Sequence, residues 1–395
     1  MNTLIESAVI PCAAAAGRNV AALPPRGVSF HWTPDQQIVG YRERAKIEPV
    51  RVVGCGAHVC IPPLTVHQIS PRWTWNGQAM DVDRYMEATR VSGLIALKDG
   101  EVLIERYGLG RTERDRWDVQ SVSKSVTAIL VGAAIQDGYI KSMDSMVTEY
   151  IPELKGSAYE GVTIRHLVTM TSGIKWDNDY RNPNGNGTQQ RSEPFVNSVN
   201  PTVAYMRRLP RDNQPGTKYV YSDGDTDLAG ILVSNAAGKS MSEYLSQKLW
   251  QPYGMEKDAY WIVDPAGYER GGTGISMTLR DLARTGQFVL EGGKAGGVQV
   301  LPPDWLVEAT SAQVTFSTAS LGGEKGYGYC WWIYEDAYAA LGHAGQAIFV
   351  YPKDKVVIAI NSAWLETNQY QPNRPEYCQM LDFAKALHAG AVAHF

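Results

Sequence analysis

Sulfur, metal-binding patterns and strong charge are all scarce in this chain. Its 395 residues include only five cysteines. Cys12, Cys55, Cys60, Cys330 and Cys378 form an odd, scattered set that cannot make a disulfide framework. Cys55 and Cys60 alone are close enough to close a small loop in an oxidising compartment. No Cys-x-x-Cys or His-Glu-x-x-His pattern occurs, so neither a structural zinc nor any other cofactor is expected. Long basic runs are missing and the net charge is −4, which argues against nucleic acid or an anionic membrane as partner. Apolar stretches are too short or too interrupted to span a bilayer. Residues 1–17 have no basic leading segment, and Glu6 interrupts them, so they do not read as a secretory signal. A cytoplasmic protein is expected, with the periplasm as the alternative. There is no Gly-x-Ser-x-Gly elbow. Ala237-Gly238-Lys239-Ser240 hints at a phosphate loop, but Val233 stands where the first glycine is required. No repeat of fixed period is present.

What remains is an ordinary globular composition, 44% apolar and 20% charged, with length enough for a large core and two structural units. Residues 1–75, punctuated by Leu23-Pro24-Pro25 and Ile61-Pro62-Pro63, read as an arm laid over the surface. Residues 76–150 and 265–395 read as an α/β unit, and 151–264 as a mostly helical insertion. Val91 to Leu97 and Val102 to Tyr107 predict a hairpin turning at Lys98-Asp99-Gly100. Further strands are expected at Gly328 to Tyr334, Ala347 to Tyr351 and Val356 to Asn361. Helices are expected from Ser121, Thr163, Asp225, Ser240, Thr278 and Glu376, whereas Asn182 to Gln190, rich in Gly and Asn, reads as a long loop. Strands at both ends with helices between predict an α+β fold, in which an antiparallel sheet flanked by helices is closed by distant segments.

The most informative segment is Ser121-Val122-Ser123-Lys124. It opens an apolar run through Ile135 that reads as a helix buried on nearly every side. Ser121 and Lys124 lie one turn apart and share a face. Burial disfavours an ammonium, so Lys124 is expected to be a neutral amine, a base beside a nucleophilic hydroxyl. The unpaired N–H groups at the helix start suit a developing oxyanion. Ser-x-x-Lys alone is a weak signal, equally an N-cap beside a snorkelling lysine. A second copy at Ser172-Gly173-Ile174-Lys175 has no rigid helix to align it.

Two other segments add weight. Tyr219-Val220-Tyr221-Ser222-Asp223 follows a Pro-Gly turn. Tyr221 near Lys124 could pass protons, a nearby cation lowering its phenol pKa, or it could simply pack. Gly342-His343-Ala344-Gly345-Gln346 precedes a strand, and its small residues would let a ligand approach the backbone.

Taken together, Ser121-x-x-Lys124, Tyr221-x-Asp223 and His343-x-Gly345 resemble, in order and spacing, the motifs of the serine β-lactamase and D,D-peptidase family. The spacing is similar to its class C and family VIII esterase branches. His166-Leu167-Val168-Thr169-Met170-Thr171-Ser172-Gly173 is similar to the class C branch's helix, and Ser121-Val122-Ser123-Lys124-Ser125, Val147 to Leu154 and Gly345-Gln346 resemble the 6-aminohexanoate-dimer hydrolases. The resemblance covers about residues 80 to 390. It implies a β-lactamase/transpeptidase-like fold and a serine hydrolase acting on a linear amide or carboxylic ester through an acyl-enzyme on Ser121. It implies Lys124 and Tyr221 as base and proton relay, and the N–H groups of Ser121 and Gln346 as the oxyanion hole. Substrate contacts are expected from Trp176, Asp177, Asp179, Tyr180, Asp223, His343 and Gly345, the paired acids holding a substrate ammonium. Asp223 replaces the family's asparagine and His343 its lysine, which makes β-lactam turnover doubtful. The alternatives are a broad carboxylesterase and a penicillin-binding sensor that acylates without turnover. The expected partner is a small amide or ester, without nucleic acid or membrane, and a homodimer is allowed.

Overall fold

The structure, a computed structural model, describes residues 9–10, 22–27, 29–60, 68–177, 179–316, 323–365 and 374–394. Its centre is an eight-stranded sheet. In chain order the strands are β1 (Val91–Lys98), β2 (Glu101–Tyr107), β3 (Val314–Thr315), β4 (Gly326–Tyr327), β5 (Trp332–Ile333), β6 (Tyr338–Gly342), β7 (Gln346–Tyr351) and β8 (Val356–Ser362). Their spatial order is β3-β4-β5-β6-β7-β8-β1-β2, and every pairing is antiparallel. The sheet is closed by distant segments, Lys98 pairing with Val356 and Leu94 with Ile360. Strand β8 is buried at every position and β1 at all but its last. Layers on both faces explain why these strands read as unbroken apolar runs rather than alternating ones. The β1–β2 turn is made by Asp99 and Gly100, both with positive φ, as a two-residue hairpin demands.

Four long helices matter for the site: α1 (Val122–Gln136), α2 (Asp223–Ala237), α3 (Leu279–Leu290) and α4 (Pro375–His394). Helix α3 packs on β1, β7 and β8, while α4 packs on β1 and β8. Every residue of α1 from Val122 to Ala134 is buried. Part of that burial is against α2, so α1 has no polar face to show in sequence. The turn after α1 passes through Gly138 at φ 77°, a left-handed position that suits glycine.

A second sheet orders Val9–Ile10, Val50–Val53, Ala259–Ile262, Ile275–Met277 and Trp117–Asp118. Residues 50–53 of the proline-rich arm therefore form an interior strand of this sheet. Arm residues Trp32 and Tyr41 are buried in the core.

Several elements differ from expectation. The Gly- and Asn-rich stretch forms a helix, Asn186–Ser192. Tertiary bonds hold it: Gln190 Nε2 donates to Asp227 Oδ2 at 2.7 Å and Asn186 Nδ2 to Tyr205 Oη at 2.9 Å. Such bonds leave no apolar period to read. The strand expected over Gly328 to Tyr334 shrinks to β5, because Cys330 takes φ 60° and turns the chain. The helix expected from Thr163 covers only Ile164–Val168, Met170 being left-handed at φ 59°. Cys55 and Cys60 are both free.

Candidate active site

The second sheet sets the entry to α1. Trp117–Asp118 pairs with Ile275–Met277, and Val119 N donates to Ile275 O at 2.9 Å. Gln120 then adopts φ 51°, a conformation rarely taken by a residue with a side chain. Its N–H is held by Asp118 Oδ1 at 2.9 Å, and its carbonyl accepts from Ser123 Oγ at 2.7 Å. This bend places Ser121 at the N-cap with helical dihedrals, so its Oγ makes no capping bond. The Ser121 N–H donates to no group among the described residues and points from a helix start, the polarity an oxyanion needs.

Lys124 is 1% exposed, and its ammonium makes three hydrogen bonds. It donates to Ser121 Oγ at 3.0 Å, to Asp223 Oδ1 at 2.5 Å and to Gly272 O at 2.7 Å. Burial pulls its pKa down, but the Asp223 carboxylate outweighs burial and holds the ammonium above its ordinary range. The neutral amine expected from the apolar helix is therefore corrected. The residue that reverses the sign, Asp223, lies 99 positions away in sequence.

Tyr221 is buried, and its hydroxyl is in hydrogen-bonding contact with the Ser121 and Lys124 side chains. Lys124 Nζ sits 4.8 Å from its ring centroid. Burial raises the phenol pKa more than Lys124 lowers it, so Tyr221 rests protonated, contrary to the expectation of a lowered value.

Asp223 is the first residue of α2, whose N-cap is Ser222. A carboxylate is favourable there. Its second oxygen, Oδ2, meets Arg191 Nη2 at 3.3 Å. Asp223 thus links two cations beneath Ser121, and neither of its oxygens is left without a cation partner.

The β6–β7 hairpin abuts the same bend. A Cβ on Gly342 would fall 2.5 Å from Val119 O and 3.2 Å from Gln120 Cβ. Gly342 is small because the Ser121 turn packs on it. Ala344 and Gly345 turn with φ 57° and 87°, and a Cβ on Gly345 would strike Trp364. His343 is buried. The Gln346 side chain points inward: its Nε2 donates to His343 O at 3.0 Å and Ser362 O at 2.8 Å, and its Oε1 accepts from Asn361 Nδ2 at 3.0 Å. That side chain pins the hairpin, which leaves its backbone as the part able to meet an oxyanion.

Tyr221 also lines an open cleft of about 510 Å3, walled by Trp176, Tyr219, Val220 and Trp332, with Lys175, Lys218 and Asp212 beside them. Trp332 stacks on Tyr221 at 6.0 Å and 26°. Tyr180 is buried close enough to feel the charge of Asp223. Asp177 and Asp179 are not among the cleft-lining residues. Asp177 Oδ1 accepts from Asp179 N at 2.8 Å and Asp179 Oδ1 from Arg181 N at 3.1 Å, bonds that organise their loop. Asn178 between them lies outside the described residues. In the second Ser-x-x-Lys, Ser172 Oγ donates to Asp225 Oδ2 at 2.6 Å while Lys175 is exposed, so the two do not meet. Arg191, the Gly272 carbonyl and Trp332 complete the site. None was singled out from sequence, and Arg191 stands in a polar stretch with no motif around it. Among the described residues no cluster of His, Cys, Asp and Glu could hold a metal ion, and no helix is long and apolar enough to cross a membrane.

The family model for beta-lactamase matches residues 81–378. The chain is 30% identical over 322 residues to the 6-aminohexanoate-dimer hydrolase of Paenarthrobacter ureafaciens, covering 78% of this chain and 82% of that one. It is 26% identical over 192 residues to a beta-lactamase of Escherichia coli (strain K12), covering 44% and 47%. Among solved structures, a provisionally named 6-aminohexanoate-dimer hydrolase from Bacillus anthracis superposes with a TM-score of 0.76 at 22% identity, covering 93% of this chain and 98% of that one. A class C beta-lactamase gives 0.57 at 18% identity, covering 76% and 93%.

Proposed function

The chain belongs to the beta-lactamase family and is a serine hydrolase, and from that premise we propose that it cleaves linear amides, and esters of similar shape, through an acyl-enzyme on Ser121. The observation that carries this reading is the Lys124 ammonium bridging Ser121 Oγ at 3.0 Å and Asp223 Oδ1 at 2.5 Å. All three of its protons are engaged, so it acts as a base only after giving one up. Asp223 is the acceptor within reach. When Lys124 passes a proton to Asp223, the freed amine lone pair takes the proton of Ser121. The net result is an alkoxide attacking the carbonyl and a proton stored on Asp223. An asparagine at this position could not store it.

In this mechanism the tetrahedral oxyanion is held by the N–H groups of Ser121 and Gln346, each typically worth about 3–4 kcal/mol. Tyr221, resting as a phenol, gives its proton to the leaving amine or alcohol and recovers one from the cluster. Water then attacks the acyl-enzyme by the reverse path.

Substrate shape follows from the cleft. Its aromatic walls suit a chain of methylenes with few polar groups. A penicillin-type carboxylate finds no lysine at position 343, and Asp223 is already engaged by two cations. The relative from Paenarthrobacter ureafaciens is named for a linear amide dimer, which supports the amide reading. In a panel of linear 6-aminohexanoate dimer, short nitrophenyl ester and chromogenic cephalosporin, the first two should turn over and the last should not. Ser121→Ala should abolish turnover of both and form no acyl adduct by mass spectrometry, with an unchanged circular dichroism spectrum. Nitrophenyl ester turnover by that variant at near wild-type rate would remove Ser121 from the role. A permanent adduct on the unaltered protein would make it a sensor rather than a hydrolase.

A further inference from the structure

A second chamber, of about 110 Å3, reaches Gln120 and is lined by Arg26, Arg44, Arg191 and Arg270, with Glu48 the one carboxylate among its lining residues. It is separate from the aromatic cleft, with which it shares no lining residue. Four guanidinium groups around a space this small repel one another unless negative charge sits between them.

The available carboxylates leave part of that charge unanswered. Glu48 takes Arg26 Nε at 2.8 Å and lies 3.8 Å from Arg44 Nη2. Arg44 is nine-tenths buried and its Nε forms an ion pair with Asp118 Oδ2 at 3.2 Å, while its Nη1 has no hydrogen-bond acceptor among the described residues. Arg191 is drawn to Asp223. Arg270 makes no side-chain hydrogen bond or ion pair among the described residues. Burial and the neighbouring Arg191 disfavour its charge, and Asp227, Asp264 and Glu48 attract it only from outside ion-pairing reach. The oxygens of Asp227 are occupied by Gly272 N at 2.8 Å and Gln190 Nε2 at 2.7 Å, and those of Asp264 by Ala266 N at 2.8 Å and Asn200 Nδ2 at 2.8 Å. Ser29 and Thr273, also on the wall, offer neutral hydroxyls.

We propose that this chamber is a binding site for a small oxyanion, a carboxylate or phosphate, clamped by Arg270 and the buried Arg44. Guanidinium forks match the paired oxygens of both groups, and the volume holds one such group with few waters. The anion is either free in solution or the charged end of the substrate itself. Because Arg191 faces both this chamber and Asp223, an anion here competes for the guanidinium that steadies the catalytic carboxylate.

The test is calorimetric titration of the full chain with inorganic phosphate at low ionic strength, with sodium chloride at matched ionic strength as the control. One phosphate should bind, and Arg270→Gln should weaken it about tenfold or more, the loss of a charge-assisted pair. Arg26→Gln, whose side chain is 63% exposed and whose loss leaves the core intact, should weaken it severalfold. Ser121→Ala should bind phosphate as the unaltered protein does, which keeps the outcome independent of the nucleophile assignment. No phosphate binding, or unchanged binding in both arginine variants, would overturn the proposal. The source is read from kinetics. If phosphate raises KM for a carboxylate-ended ester but not for a neutral one, the chamber receives the substrate's own carboxylate. Equal effects on both assign it to a free anion.

Discussion

Asp223 decides the charge of Lys124. Alone, the burial of Lys124 would yield a neutral amine; with a carboxylate at 2.5 Å the ammonium persists. Asp223→Asn removes both that support and the proton store. Turnover near neutral pH should fall on the order of 10²–10³-fold, the usual weight of a general base. What remains should rise with pH, as the lysine, no longer held above its ordinary range, loses its proton by itself. A pH–rate profile of the variant checks this, and a profile superimposable on the unaltered protein's rejects Asp223 as proton acceptor. The meeting of Ser121, Lys124 and Tyr221 was legible in the sequence because a helix turn and a motif order bring them together. The charge of Lys124 was not, because its counter-ion comes from another helix. Arg191 was invisible for the same reason: nothing within its own stretch of chain announces a contact with Asp223.

The elements that carry these residues were read with uneven success. The β1–β2 hairpin and helices α1, α2 and α3 were legible, since apolar runs and turn residues mark their bounds. The helix Asn186–Ser192 was not, because polar tertiary bonds rather than an apolar face stabilise it. The β6–β7 hairpin was read as a place for a ligand to approach, but at Gly342 the close neighbour is the Ser121 turn itself. Gly342→Ala should therefore push Val119 and Gln120 aside. We expect a loss of about tenfold or more in kcat from a misplaced nucleophile, with a destabilisation of about 1–3 kcal/mol, the usual cost of overpacking. Steady-state kinetics with thermal melting checks both. Unchanged kcat would mean that the turn is not held by this contact.

At the scale of the whole molecule, buried acids set how stability responds to pH. Burial pushes Asp225 up to about 7 despite hydrogen bonds from Ser172 and Tyr159, and Asp281 up to about 6. Both pKa values are raised above those of the unfolded chain. From about pH 4 to 7 the folded protein keeps protons that the unfolded chain releases, so stability falls as pH rises through that window. For Asp225 the effect is on the order of 2–4 kcal/mol. The melting temperature should drop between about pH 4 and 7, and Asp225→Asn should flatten the drop. Equal slopes in the two proteins would remove Asp225 as the cause.

The pairing of β1 with β8 also governs when the molecule can assemble. During synthesis the β1–β2 hairpin and helix α1 emerge well before β8, the neighbour that covers the other edge of β1. Until then an apolar strand edge stays open to other chains. Closure of the sheet therefore waits for β8, and the helices and hairpin made before it cannot complete their shared core on their own.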